Sequence, residues 1–218
     1  IYASYQNTRG LLKADAGRSK GMVMSAWADW GDTLRELAWP GIVLGANFSW
    51  SPDSDYSFAE YYELYHKSFF GFDAEQAQLL DSLYHPYHVL KCCTVDVLRD
   101  EMWRSPSEPV QFLDSENVGI LQAAMRKAAV DLSSLAPLRN RTAYEALRLT
   151  VARTAFAADK AACLPKTEPK TLEQVQGCAE KALLLTGQLL AVKELHRELW
   201  FSTNRFSEWP KCECRYDN

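Results

Sequence analysis

The chain has 218 residues, 47 % of them apolar and 24 % charged, with a net charge of −4. That length and balance suit a folded protein with a sizeable core. The mild acidity gives no basic footprint, so nucleic acid is not an expected partner, and no apolar run reaches the roughly 18 residues of a membrane span.

The chain opens on "IYASYQ", with neither a methionine nor a signal-peptide pattern, and reads as trimmed or as a fragment. Residues 7–21 predict a short, polar, imperfect helix ending at Gly21. "MVMSAW" (22–27) is an apolar run of strand length. A helix, a glycine and an apolar strand form the α-to-β half of a βα repeat. "WPGIVLGANFSW" (39–50) predicts a helix with Pro40 in its first turn, where a missing N–H costs little. "SPDSD" (51–55) is a loop and the best domain boundary.

Beyond it the pattern is almost entirely helical. Ser57 is placed to cap "FAEYYELYHKSFF", which stops at Gly71. Its aromatics before the glycine read as packing surface. Asp73 and Gln76 make a capping-box start to "AEQAQLLDSLY". "TVDVLRDEMW" (94–103) is a further short helix ended by Pro106, and 107–114 are irregular. Three long helices follow, over about 115–136, 141–163 and 171–202. Their stripes are Val118, Leu121, Met125, Ala128, Leu132 and Leu135; then Tyr144, Leu147, Val151, Ala155 and Ala158; then Cys178, Ala182, Leu185, Leu189, Val192, Leu195 and Leu199. Steps of three and four are the amphipathic signature, and short connections favour an antiparallel three-helix bundle.

Six cysteines and four histidines yield no zinc-site spacing, so no metal is implied. Cys92 and Cys93, and Cys212 and Cys214, read as free thiols. Cys163 and Cys178 flank a Pro-rich loop and could pair or stay free. His85 and His88 in "HPYH" are separated by Pro86 and lack an acidic neighbour; they read as surface or packing residues. His196 reads as an edge residue of the last long helix.

"WADWGD" (27–32) is the one unusual constellation. Active-site residues of a (β/α)₈ barrel sit at the C-terminal ends of its strands. There the face of Trp30 can stack on a sugar ring, and Asp32 can accept hydrogen bonds from its hydroxyls. The same residues are also read as a Trp-rich core turn with Asp32 capping the next helix.

"GMVMSAWADWGD…ELAWPGIVLGANFSW" resembles the last strand and helix of glycoside hydrolase family 20, the β-N-acetylhexosaminidases. "ELWFSTNRFSEW" (198–209) resembles the ending of members with a helical C-terminal domain, and "FAEYYELYHKSFFGFDAEQA" the start of that domain. Two departures stand: Thr33-Leu34 follow the Trp-Gly-Asp motif, and the terminal "NRP" is "NRF". The resemblance implies a mainly α chain, a multi-helix bundle domain (52–218) preceded by the last α/β unit of a truncated barrel (1–51). It implies substrate-binding roles for Trp27, Trp30 and Asp32, with no cofactor. A full barrel takes about 250 residues, so the family's adjacent Asp-Glu pair would lie upstream of Ile1. That pair serves a substrate-assisted, retaining hydrolysis in which the acetamido group is the nucleophile. The sole Asp-Glu dipeptide here, Asp100-Glu101, lies in a helix and reads as a solvated face. The chain alone is then inactive. It supplies one wall of a pocket for an amino-sugar glycan, and its partner is the rest of the barrel. A single barrel strand has unpaired edges, so 1–50 are expected to be unstructured, swapped with another copy, or packed on the helices. The alternative is a stand-alone helical interaction or self-association module without catalysis. The compartment is left open.

Overall fold

The computed structural model describes residues 2–15, 17–18, 20–23, 25, 34–80, 83, 101–105, 115–163 and 169–217. They form α1 (Tyr2–Asp15), a 3-10 turn (Arg35–Ala38), α2 (Trp39–Trp50), α3 (Phe58–Phe70), α4 (Ala74–Leu79), α5 (Ser115–Ser134), α6 (Arg141–Cys163), α7 (Leu172–Thr203), a 3-10 turn (Phe206–Glu208) and α8 (Trp209–Asp217). Residues 101–103 are also helical. Among the described residues there is no strand. The protein is mainly α.

The helix starts follow their caps. Ser57, Asp73 and Thr171 each accept from the backbone N–H three residues on, and Glu60, Gln76 and Gln174 reach back to the cap N–H. These reciprocal bonds satisfy donors that a bare helix end leaves unpaired. At the other end of α3, Gly71 takes φ 77° and its N–H donates to Lys67 O. The 135–140 loop closes over this end. Leu138 N and Arg139 N donate to Phe70 O at 2.9 and 3.2 Å, and Asn140 Nδ2 donates to Phe69 O at 2.7 Å. A Cβ on Gly71 would stand 3.0 Å from Leu138 Cβ, so glycine is required both for its φ and for this close approach.

α5, α6 and α7 run antiparallel in sequence order. Tyr144 Oη donates to Leu132 O while Gln122 pairs with Asp159, so α6 descends as α5 rises. Gln188 on α7 donates to the same Asp159 carboxylate at 3.0 Å, opposite Gln122 at 2.7 Å. α6 is buried on two faces. Ala143, Tyr144, Leu147 and Val151 join a first core with α1–α5; Ala146, Leu149, Phe156 and Ala157 join a second core with α7 and α8. The sequence stripe found the first face only. Two apolar faces on one helix leave too narrow a polar arc for a single-stripe reading.

The N-terminal third differs from expectation. α1 ends at Asp15, not Gly21. Arg18 folds back, its guanidinium donating to Asp15 O and Ala14 O at 2.9 Å each, and Gly17 takes φ 75°. Those contacts complete the helix C-terminus six residues early. Of the strand expected over 22–27, the described residues Met22, Val23 and Ser25 are not in a strand, and Val23 is 93 % exposed. A lone apolar run has no neighbour to complete its ladder. Tyr5, Leu44 and Phe48 share the first core with Tyr61, Tyr62 and Phe70, so the described helices of 1–51 pack on the helices that follow. Arg9 ties α1 to the 51–57 loop, donating to Tyr56 O at 3.0 Å and pairing with Asp55.

Candidate functional site

Trp27, Trp30 and Asp32 lie outside the described residues, as do His85, His88, Cys92, Cys93 and Asp100. Leu34 is fully buried in the second core with Met102, Ala146 and Leu149. From that anchor the 3-10 turn carries Glu36 inward, 7 % exposed, while Arg35 points out. Arg35 Nη2 lies 3.7 Å from Glu36 Oε1, but the buried Oε2 has no hydrogen-bond donor among the described residues. Trp39, one 3-10 turn further along, keeps 39 % of its surface exposed, its ring tilted 6.3 Å from Phe69.

A groove of about 260 Å³ opens between α2 and α3. Val43 and Asn47 line one wall, Tyr61, Tyr65 and Phe69 the other, and Tyr56 closes one end. Tyr65 and Phe69 stack at 4.9 Å and 17° because four residues separate them on α3. Tyr61 donates to Pro40 O at 2.8 Å, and burial pushes its phenol pKa up. The lining carries no charged side chain, so it suits a neutral ligand with an apolar face.

Two polar centres sit deeper. Glu101, expected on a solvated face, is 1 % exposed and receives Arg104 Nε at 2.9 Å. The cause is local: residues three apart share a helix face, and here that face turns into the second core. Lys160 of α6 reaches over it, donating to Met102 O at 2.9 Å and to Arg104 O. With its carboxylate held by arginine, Glu101 is a structural group.

His196, expected at an edge, is fully buried. The step from Val192 to Leu199 on the α7 stripe passes through 196 rather than 195, and that was the missed signal. Its Nδ1 lies 2.8 Å from Tyr216 Oη, 3.3 Å from Arg153 Nη2 and 3.5 Å from Cys212 Sγ. Arginine can only donate, so Nδ1 holds the lone pair. Burial first, and Arg153 second, push the His196 pKa down to about 3. Cys212 is fully buried against this ring, and the cluster packs as an interior contact. It is the clamp that fastens α8 to α6 and α7. Cys163, Cys178 and Cys214 are free thiols, the first two half-buried.

Among the described residues no three His, Cys, Asp or Glu side chains gather as metal ligands. Comparison with known proteins finds no matching family model, no similar curated protein and no similar solved structure.

Proposed function

We propose that this chain is the C-terminal part of a family-20-like glycoside hydrolase that removes terminal N-acetylhexosamine from glycans. Residues 1–51 would be the last α/β unit of its barrel and 52–218 its helical domain. Trp27, Trp30 and Asp32 would form one wall of the sugar pocket, and the upstream barrel would supply the acid pair. The supporting observation is the order of "WADWGD", the buried turn from Leu34, and a helix over Trp39–Trp50 with Pro40 in its first turn. The arginine-bound Glu101 offers no substitute for the upstream pair.

The test is hydrolysis of a chromogenic N-acetylglucosaminide by this chain and by the complete gene product. The expected result is activity in the complete product alone, lost in Trp30→Ala and Asp32→Asn variants that still fold. Turnover by this chain alone, or inactivity of both proteins, overturns the reading.

One observation favours a second reading, the interaction module. On α7 the stripe Leu172, Val175, Leu183 and Leu190 faces solvent, with Leu172 75 % and Leu183 74 % exposed. Such a stripe fits a helix partner or a second copy. Sedimentation of the chain against Leu183→Glu tests it: a dimer converted to monomer supports the module, and a monomer in both cases removes self-association.

A further inference from the structure

The groove between α2 and α3 has a size and a lining that select its occupant. Its volume, about 260 Å³, is below the roughly 300–1,000 Å³ of sites that enclose a small molecule, and suits one large side chain. Along α3, Tyr61, Tyr65 and Phe69 form one stack, with centroids 6.3 and 4.9 Å apart and planes inclined by 24° and 17°. The ring faces meet one another, so edges are left to line the groove. Ring edges carry the positive end of the aromatic quadrupole and attract the negative face of another ring. A sugar, which lays its C–H groups on an aromatic face, lacks that match; an indole has it.

An indole stands next to the groove. Trp50 follows Asn47 by three residues and Val43 by seven, so the three share one face of α2, and Trp50 is 90 % exposed. Leu64 and Tyr56 of the lining, 45 % and 39 % exposed, continue the apolar surface. Anchor and socket lie side by side on one face of one chain. That is what an isologous pair needs, because a two-fold axis passing between them brings each Trp50 to the other copy's groove. The charges agree. Among the described lining residues none is charged. Around the Tyr56 end stand Asp53, Asp55 and Glu60, with Arg9 bound to Asp55. Lys67, 3.6 Å from Glu63, adjoins the lining residue Ser68. The same two-fold lays Lys67 of each copy toward the acidic end of the other.

We infer that this groove is a self-association site: Trp50 of a second copy enters it, and its own Trp50 enters the groove of that copy. The interface uses no residue of the Trp-Gly-Asp motif or of the exposed α7 stripe, so it goes beyond both readings above.

The test is sedimentation velocity of the 218-residue chain over a range of concentrations. The wild type should dimerise. Trp50→Ala removes the anchor, and Asn47→Arg places a charge in the socket. Each should weaken dimerisation about thirtyfold or more, the effect of losing an interface hot spot. Trp50 is exposed in the single chain, so Trp50→Ala should leave the Tm of the dilute monomer unchanged. Either variant alone spoils both anchor–socket pairs of a dimer, whereas a mixed dimer of the two keeps one pair intact. The mixture should therefore associate more tightly than either variant by itself. Lys67→Glu should weaken the dimer severalfold, and Leu183→Glu on α7 should leave it intact. A wild-type chain that stays monomeric overturns the inference. So does a dimer that Trp50→Ala leaves unchanged, a mixture no tighter than its components, or a dimer that dissociates only in Leu183→Glu. The hydrolysis assay decides the hydrolase reading separately, whichever of these results is found.

Discussion

The two cores on either side of α6 are built from different materials. The first is a ladder of rings and aliphatics: Tyr5, Phe48, Tyr61, Tyr65, Phe70 and Tyr144 meet edge-on or stacked, with the His66 imidazole buried against them. The second encloses Glu101, Arg104, Lys160 and His196 among Met102, Trp200, Trp209 and Cys212. An apolar core tolerates imprecise placement and loses stability in proportion to what is removed. A core with enclosed charges depends on each partner, because an abandoned charge costs more than the pair contributes.

The largest effects should separate the two. Phe70→Ala removes a ring held by Tyr65, Phe69, Phe72 and Tyr144 and should cost about 3–5 kcal/mol. Glu101→Gln should cost a similar amount, about 3–5 kcal/mol, by stranding the Arg104 guanidinium. The distinguishing variant is Glu101→Leu with Arg104→Met. Chemical denaturation should show this pair restored close to wild type, whereas no second substitution rescues Phe70→Ala. If the double variant is no better than Glu101→Gln, the second core is not governed by its charges.

Acid probes both cores at once. Burial pushes the pKa of His66 down to about 3, against a weaker upward pull from its bond to the Ala77 backbone, and His196 is likewise near 3. In the unfolded chain both take up a proton near pH 6.5. Between those values the unfolded state binds more protons, so stability is full above about pH 6.5 and falls as pH drops toward 3. The slope should approach about 1.4 kcal/mol per pH unit for each histidine. Urea midpoints at pH 7, 6 and 5 measure it. His196→Gln and His66→Gln should each halve the slope, and a slope that neither variant changes would assign acid sensitivity elsewhere.

Smaller effects test the local devices. Gly71→Ala meets a left-handed backbone and a contact 3.0 Å from Leu138 Cβ, so it should cost about 1–2 kcal/mol. Its Tm should fall with loosening of the 135–140 loop. Thr171→Ala removes the α7 cap and should cost about 1 kcal/mol. Residues 172–176 are all exposed, so that loss should appear as faster amide exchange in the first turns of α7 with little change in Tm.

How much was legible follows from the range of each interaction. The caps at Ser57 and Asp73, the stop at Gly71, and the stripe of Leu121, Met125 and Leu132 were all readable, because each is settled within a few residues. The early end of α1 escaped because it turns on Arg18 folding back onto carbonyls. The candidate site was legible only as the motif holding Trp27, Trp30 and Asp32. Glu36, four residues beyond, gave no sign of burial, since an acidic residue before a helix reads as an ordinary first-turn charge.

The sequence by itself determined a mainly helical chain, where most of its helices begin and end, and one apolar face for each of the three long helices. Only the tertiary structure decided that α6 is buried on two sides, that Glu101 and His196 lie inside, and that Glu36 turns an unmatched oxygen inward. Periodicity and capping are properties of a single segment. The fate of a polar side chain depends on the partners, often dozens of residues distant, that the fold brings to it.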